Sequence, residues 1–158
     1  MQTIGTNLYF CAELLKRLIE EGIGTAVDIC GFVSREASDK VVPYTDKFLY
    51  DIKAFDEDIH IKCTGYSNKT ILEKLKYHDN KGCKIEIRIP YVPDYNDKQI
   101  DKIVKFLSTL NNITAVKVLP YHNYAGSKYK LLDMENTLPT KVPLNEEVKL
   151  LQKKVLKY

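Results

Sequence analysis

The chain has 158 residues, of which 44% are hydrophobic and 28% charged, so one domain with a substantial core is expected over residues 1–158. No apolar run approaches the ~20 residues of a membrane helix, and the amino terminus shows no secretion signal, which predicts a cytoplasmic setting. The net charge is only +3 and the arginines are Arg17, Arg35 and Arg88, so neither nucleic acid nor a membrane is expected as a partner.

Helix-period and strand-like segments alternate along the chain. Predicted helices cover about residues 8–22, 34–42, 67–82, 96–107 and 145–157, and predicted strands cover about residues 25–30, 47–53, 84–89 and 114–119. Asn7 and Ser67 are expected to cap helices, and Asn96 with Gln99 resembles a capping box. Single helices between strands require parallel pairing, so the fold class is α/β, a sheet or barrel of about four parallel strands with helices outside. The long connection over residues 122–143 is expected to be functional or disordered.

The predicted strands carry charges where a parallel strand covered by helices should be apolar. The charged positions considered for a site are Asp28, Asp51, Lys53, Glu86 and Arg88. Burying such groups is costly unless they pair with one another or with a polar ligand, which leaves two interpretations open. In the first, they line one polar cavity with His122, for a ligand that carries both charges and hydroxyl groups. In the second, they form an internal salt-bridge network, and His122 is an ordinary loop histidine.

The cysteines and the other histidines indicate no further chemistry. The cysteines match no metal or redox spacing and are expected to be reduced and mostly buried. They are Cys11, Cys30, Cys63 and Cys83. His60 and His78 lie in polar stretches and are expected at the surface. The sequence has no phosphate-binding glycine loop and no nucleophile elbow, so nucleophilic catalysis is not expected.

Five segments occur in a distinctive order. They are Thr-Ala-Val-Asp-Ile-Cys-Gly at residues 25–31, Asp-Ile-Lys at 51–53, Thr-Gly-Tyr-Ser-Asn at 64–68, Arg88 followed by Val-Pro at 92–93 and Asn-Asp at 96–97, and Leu-Pro-Tyr-His-Asn at 119–123. Together they resemble the glycyl-radical-enzyme activating enzymes of the radical S-adenosylmethionine superfamily, of the pyruvate formate-lyase activating enzyme type. The resemblance implies a C-terminal portion of an open (β/α)6 barrel, a partial barrel without the amino-terminal strands. Such a remnant leaves one parallel sheet edge uncovered, which favours self-association.

By matched position, the resemblance implies five residues that contact the amino, carboxylate and ribose groups of S-adenosylmethionine. They are Asp28, Asp51, Lys53, Arg88 and His122. Asp28 and Asp51 also match carboxylates that help hold a monovalent cation in some members. At that cation site this chain departs from the family, because Ile29 and Cys30 stand where a Thr-Asn pair is common. No catalytic residue and no metal ligand is expected within this chain.

The implied reaction of the parent protein is one-electron reductive cleavage of S-adenosylmethionine to methionine and a 5′-deoxyadenosyl radical. That radical abstracts hydrogen from a backbone glycine of pyruvate formate-lyase or a related glycyl-radical enzyme, with flavodoxin or ferredoxin as electron donor. The sequence contains neither the CxxxCxxC loop that holds the family's [4Fe–4S] cluster nor a Gly-Gly-Glu segment. The chain alone is therefore expected to be inactive. Two alternatives are a nucleoside-binding module without redox chemistry and a pseudo-activase that docks on a glycyl-radical enzyme.

Overall fold

Seven α-helices and four β-strands occur in the part of the chain that the computed structural model describes, residues 8–29, 34–124, 126–136 and 139–156. The helices are α1 (Leu8–Glu20), α2 (Arg35–Val41), α3 (Glu57–Thr64), α4 (Lys69–Asn80), α5 (Ile100–Leu107), α6 (Gly126–Leu131) and α7 (Asn145–Val155). The strands are β1 (Ala26–Ile29), β2 (Lys47–Asp51), β3 (Ile85–Tyr91) and β4 (Ile113–Pro120). Short 3-10 helices cover Val42–Tyr44 and Asp97–Gln99. None of the helices in these ranges is long and apolar enough to cross a bilayer.

The four strands form one parallel sheet in the order β1-β2-β3-β4. β1 and β2 pair in parallel with Asp28 opposite Leu49. Between β2 and β3, the amide of Phe48 donates to the carbonyl of Lys84 over 2.9 Å. The predicted α/β class with about four parallel strands is confirmed.

The chain divides into two compact units. The first unit comprises Met1–Asp51, Asn68–Ile87 and Leu110–Ala115, and the second comprises Ile52–Ser67, Arg88–Thr109 and Val116–Tyr158. The expectation of a single domain over residues 1–158 stays a prediction.

The five predicted helices correspond to α1, α2, α4, α5 and α7, whereas α3 and α6 were not predicted from the sequence. The α3 segment has too few apolar residues at helical spacing to stand out, and it ends at Gly65, whose φ of 80° suits glycine. α6 lies inside the connection over residues 122–143 that was expected to be functional or disordered. The cap predicted at Ser67 is wrong, because its hydroxyl donates to Glu57 Oε1 over 2.7 Å and Asn68 occupies the N-cap position of α4. The cap predicted at Asn7 lies outside the described residues.

In the first unit, α4 turns a mixed face to the interior. Leu75 and His78 are both 0% exposed, and Ile71 is buried with them. The expected surface position of His78 is therefore wrong, and its spacing of three from Leu75 explains why it is buried. The imidazole stacks on Phe48 with ring centroids 4.5 Å apart, and Nδ1 hydrogen-bonds the Tyr50 hydroxyl. Among the described residues, Nε2 has no hydrogen-bond partner.

In the second unit, a buried face of α5 forms much of the core. Ile100 and Ile103 are almost fully buried, and the rings of Phe55 and Phe106 lie 5.6 Å apart. His60 of α3 is also buried, at 4% exposure, so its expected surface position is wrong as well. Its Nδ1 lies 2.8 Å from the carbonyl oxygen of Tyr66. One ring nitrogen therefore has a hydrogen-bond partner in the protein, as a buried polar group needs.

The outer edge of β4 is covered by a side chain of α7. Gln152 Oε1 accepts a hydrogen bond from the amide of Val118, and Gln152 Nε2 donates to the carbonyl of Val116, each over 2.8 Å. The carboxamide thus occupies two backbone groups that a neighbouring strand would otherwise use.

The cysteines are less buried than the sequence suggested. Cys11 and Cys83 are half-buried and Cys63 is exposed, and all three are free thiols. Partial burial raises the pKa of the Cys83 thiol. Cys30 lies outside the described residues.

Candidate functional site

Two of the five predicted site residues, Asp28 and Asp51, lie in the first unit and share one face of the sheet. Asp28 is opposite Leu49, and Asp51 follows Leu49 by two residues, so both carboxylates project to the same side. Val27 and Tyr50, their chain neighbours, point the other way and are buried. Asp28 is exposed and Asp51 is half-buried. The first unit therefore presents two carboxylates on one face of the sheet, offset by two residues in the register, toward the carboxyl ends of β1 and β2.

Glu86, the third acidic residue predicted in the cavity, has a different environment. It is 7% exposed, and its Oε2 lies 3.3 Å from the Nζ of Lys47 at the beginning of β2. A buried carboxylate needs such a partner, because desolvation of an uncompensated charge is costly. For Glu86, the internal ion-pair interpretation is thus the one that the structure supports.

Lys53 and Arg88 lie in the second unit, where β2 ends against β3. The amide of Ile52 donates to the carbonyl of Arg88 over 2.9 Å, so the backbone before Lys53 is joined to β3. Ile89 is fully buried, and alternation turns the half-buried Arg88 side chain to the opposite face. Lys53 is also half-buried, between the buried residues Ile52 and Ala54. The backbone segments that carry the two cations are therefore hydrogen-bonded to each other.

Asn96 connects the ends of these two strand segments. Its Nδ2 donates to the carbonyl of Lys53 over 2.7 Å and to that of Pro90 over 2.6 Å, and its Oδ1 accepts from the amide of Val92 over 2.8 Å. The residue is only 3% exposed. The capping box predicted at Asn96 and Gln99 is wrong, because both polar groups of the Asn96 carboxamide bind strand-end backbone instead of the start of α5.

Gln99 binds the segment that follows Lys53. Its Oε1 accepts from the amides of Phe55 and Asp56 over 3.2 and 2.9 Å, and its Nε2 donates to Asp56 Oδ2 over 3.1 Å. Lys102 pairs with the same carboxylate. The hydrogen bonds from Lys102 and then from Gln99 lower the pKa of Asp56 below its ordinary value. Sequence reasoning did not place Asn96 or Gln99 at the site, although the Asn-Asp pair at 96–97 belonged to the family resemblance.

His122 follows β4 in the second unit. Its ring is exposed and stacks on Tyr124 with centroids 4.7 Å apart. The preceding residue is anchored, since the amide of Tyr121 donates to the carbonyl of Tyr91 over 3.0 Å and its hydroxyl to that of Pro139 over 2.9 Å. The convergence of His122 with Asp28, Asp51, Lys53 and Arg88 on one cavity stays a prediction.

Comparison with known proteins identifies the family of this chain. The model of the family described as the radical SAM superfamily matches residues 3–107. The chain belongs to the radical SAM superfamily. Within that superfamily, the predicted resemblance to glycyl-radical-enzyme activating enzymes is confirmed by the curated relatives.

Two curated relatives illustrate the match. The chain is 39% identical over 132 residues to the trans-4-hydroxy-L-proline dehydratase activating enzyme of Clostridioides difficile, covering 81% of this chain and 43% of that protein. It is 34% identical over 131 residues to the pyruvate formate-lyase-activating enzyme of Streptococcus mutans, covering 78% and 50%. The chain thus spans about half the length of these curated relatives.

A solved structure supports the fold. The crystal structure of a domain of pyruvate-formate lyase-activating enzyme from Bacteroides vulgatus superposes with a TM-score of 0.77 at 24% identity, covering 96% of this chain and 87% of that one. At this identity the similarity shows the fold alone.

Radical SAM proteins use S-adenosylmethionine and a [4Fe–4S] cluster. The donor set of this chain fits the first of these. Carboxylates such as Asp28 and Asp51 suit ammonium and hydroxyl groups, and Lys53 and Arg88 suit a carboxylate. The cluster does not fit the described residues, which bring no three potential metal ligands together.

Proposed function

We propose that this chain is the C-terminal portion of a glycyl-radical-enzyme activating enzyme and supplies part of its S-adenosylmethionine site. The similarity to activating enzymes over 81% of the chain carries the proposal. The two carboxylates on one face of β1 and β2, and the cations after β2 and on β3, support it, because S-adenosylmethionine carries an ammonium group, a carboxylate and ribose hydroxyls.

In this proposal the chain's own residues bind and orient the cofactor. Asp28 and Asp51 accept hydrogen bonds from its amino and ribose groups, Lys53 and Arg88 pair with its carboxylate, and His122 contributes a further polar contact. When bound beside a reduced cluster, S-adenosylmethionine supplies a 5′-deoxyadenosyl radical. The protein's task is to hold the cofactor in one orientation and to keep water from it, since both determine whether hydrogen is taken from the intended glycine.

The partner in this proposal is a glycyl-radical enzyme, with flavodoxin or ferredoxin as electron donor. The relatives act on different enzymes, trans-4-hydroxy-L-proline dehydratase and pyruvate formate-lyase among them. The class of target is therefore proposed, and a [formate-C-acetyltransferase]-activating oxidoreductase is one member of that class. The 158-residue chain alone is proposed to be inactive because its sequence holds no CxxxCxxC loop.

Two measurements test the proposal. The first is the coding DNA upstream of Met1, where an in-frame CxxxCxxC and Gly-Gly-Glu are expected. Their absence would favour a nucleoside-binding module or a pseudo-activase. The second is cofactor affinity in the longer protein that carries the cluster-binding segment.

In that longer protein, we expect Asp51→Ala or Lys53→Ala to weaken S-adenosylmethionine binding by about 1–3 kcal/mol, the cost of a lost charged hydrogen bond. Isothermal titration calorimetry measures the effect directly. Lys105→Ala, which removes an exposed cation of α5, is the matched control and should leave the affinity unchanged. Unchanged affinity in both site variants would refute the assigned site.

A further inference from the structure

We propose that Asn96 is a positioning residue that fixes Lys53 for its ligand, and that Gln99 supports the same segment. The inference rests on the proposed function, because it takes Lys53 as a cofactor contact. It concerns a residue that neither touches the cofactor in the proposal nor belongs to the five predicted site residues.

The side chain of Asn96 makes three hydrogen bonds to backbone groups. Asn96 Nδ2 donates both of its hydrogens to carbonyls, those of Lys53 and Pro90, while Oδ1 accepts from the amide of Val92. A carboxamide with both donors and its acceptor engaged at 2.6–2.8 Å has one orientation only. Because Asn96 is 3% exposed, water cannot substitute for these bonds if they are lost.

These hydrogen bonds hold the backbone at Lys53 in place. Residue 52 is held by the backbone bond from the amide of Ile52 to the carbonyl of Arg88, and β2 ends at Asp51. Lys53 is therefore the point where ladder hydrogen bonding gives way to a loop. Asn96 takes over there by binding the Lys53 carbonyl, and Gln99 continues the restraint by accepting the amides of Phe55 and Asp56.

Hydrogen bonds also join the backbone segments that carry the two cations of the second unit, Lys53 and Arg88. The carbonyl of Arg88 accepts from Ile52, and two residues further along β3 the carbonyl of Pro90 shares the Asn96 carboxamide with that of Lys53. The backbones that carry Lys53 and Arg88 are consequently tied to each other on both sides of Lys53. A ligand carboxylate that bridges two cations gains affinity when their separation is fixed before binding. Asn96 provides that preorganisation.

The test is a double-mutant cycle in the longer protein that carries the cluster-binding segment, with S-adenosylmethionine affinity measured by calorimetry. We expect Asn96→Ala to raise Kd by about tenfold, within the range of one strong hydrogen bond. If Asn96 acts through Lys53, the pair Asn96→Ala and Lys53→Ala should bind no more than about twofold more weakly than Lys53→Ala alone.

Asn112→Ala is the matched control, since it removes the same side-chain amide, which donates to the Asp79 carbonyl over 2.8 Å in the first unit. This control should lower the melting temperature but leave Kd unchanged. Two results would overturn the inference. One is a Kd in Asn96→Ala equal to that of Asn112→Ala. The other is a double mutant whose loss of binding free energy is the sum of the losses in the two single mutants. An unaffected Lys53→Ala would instead refute the proposed site, so the two failures are distinguishable.

If Asn96→Ala does not fold, Gln99→Ala provides the second variant. It removes the acceptor for the amides of Phe55 and Asp56 and leaves the Asn96 bonds in place. We expect it to raise Kd by about threefold to tenfold, again without additivity to Lys53→Ala. Unchanged affinity in a folded Gln99→Ala would contradict the proposed support of this segment.

Discussion

Acidification should destabilise the chain through His78. The imidazole is 0% exposed and lies between the aromatic rings of Phe48 and Tyr77. Burial, and to a smaller extent the charge of Lys74, lowers the pKa of His78 from 6.5 to about 4, while Asp39 acts weakly in the opposite direction. The folded chain therefore keeps His78 neutral at a pH where the unfolded chain has already bound a proton.

The sign and the size of the effect follow from this difference. Because the unfolded state binds more protons between pH 6.5 and about 4, stability is complete above pH 6.5 and falls as the pH is lowered through this range. At about 1.36 kcal/mol for each pH unit of difference, the total loss is limited to about 3 kcal/mol, and about 2 kcal/mol of it should be lost by pH ~5. That loss is a large part of the stability of an ordinary domain.

The assay is urea unfolding followed by circular dichroism at several values between about pH 7.5 and pH 5, a range chosen to lie above the titration of most carboxylates. His78→Phe keeps an aromatic ring in the site but removes the titration, so its free energy of unfolding should fall by about 2 kcal/mol less than that of the unmodified chain over this range. His122→Gln, which removes an exposed histidine, is the matched control and should retain the full dependence. An equal fall in the unmodified chain and in His78→Phe would refute the reasoning.

Two further substitutions test hydrogen bonds that side chains make to distant backbone. Gln152→Leu should cost about 1–3 kcal/mol in chemical unfolding, because the carbonyl of Val116 and the amide of Val118 lose their partner. The exposed strand edge should also increase concentration-dependent association in sedimentation velocity, whereas a variant that stays monomeric would contradict the role of this edge. Asp79→Ala should cost about 2–4 kcal/mol, since Asp79 Oδ1 accepts from the amides of Asn111 and Asn112 over 2.9 and 2.7 Å. Asp79→Asn retains one acceptor oxygen and should recover part of that loss in the same measurement.

The charges on the predicted strands led to the prediction of the candidate site. Asp28 and Asp51 were expected in one polar cavity with Lys53, Arg88 and His122. The register of β1 and β2 puts the two carboxylates on one face of the sheet, and the shared cavity stays a prediction. Glu86 fitted the same pattern, yet it pairs with Lys47, a residue that precedes the predicted polar cluster on β2. That pairing depends on which residues of β2 and β3 lie side by side, and a single sequence does not specify that alignment.

Other features depend on tertiary contacts that local patterns do not contain. Asn96 and Gln99 have the spacing of a capping box, but most of the carbonyls and amides that they bind lie more than 40 residues earlier in the chain or on β3. His78 is polar by type and was expected at the surface, although its position three residues after Leu75 places it on the buried face of α4. For Asn96 and Gln99 the misleading signal was local spacing, whereas for His78 it was residue type, and the informative signal there was position relative to the apolar residues of α4.

The position of Gln152 has a consequence for how a longer polypeptide would extend this fold. Along Val116–Val118 the outward backbone groups of β4 are already satisfied by a carboxamide, so a fifth strand cannot add there without displacing α7. The two edges of the sheet therefore differ in whether a further strand can pair with them. The other end of the strand order is β1, so a further parallel strand would pair beside β1.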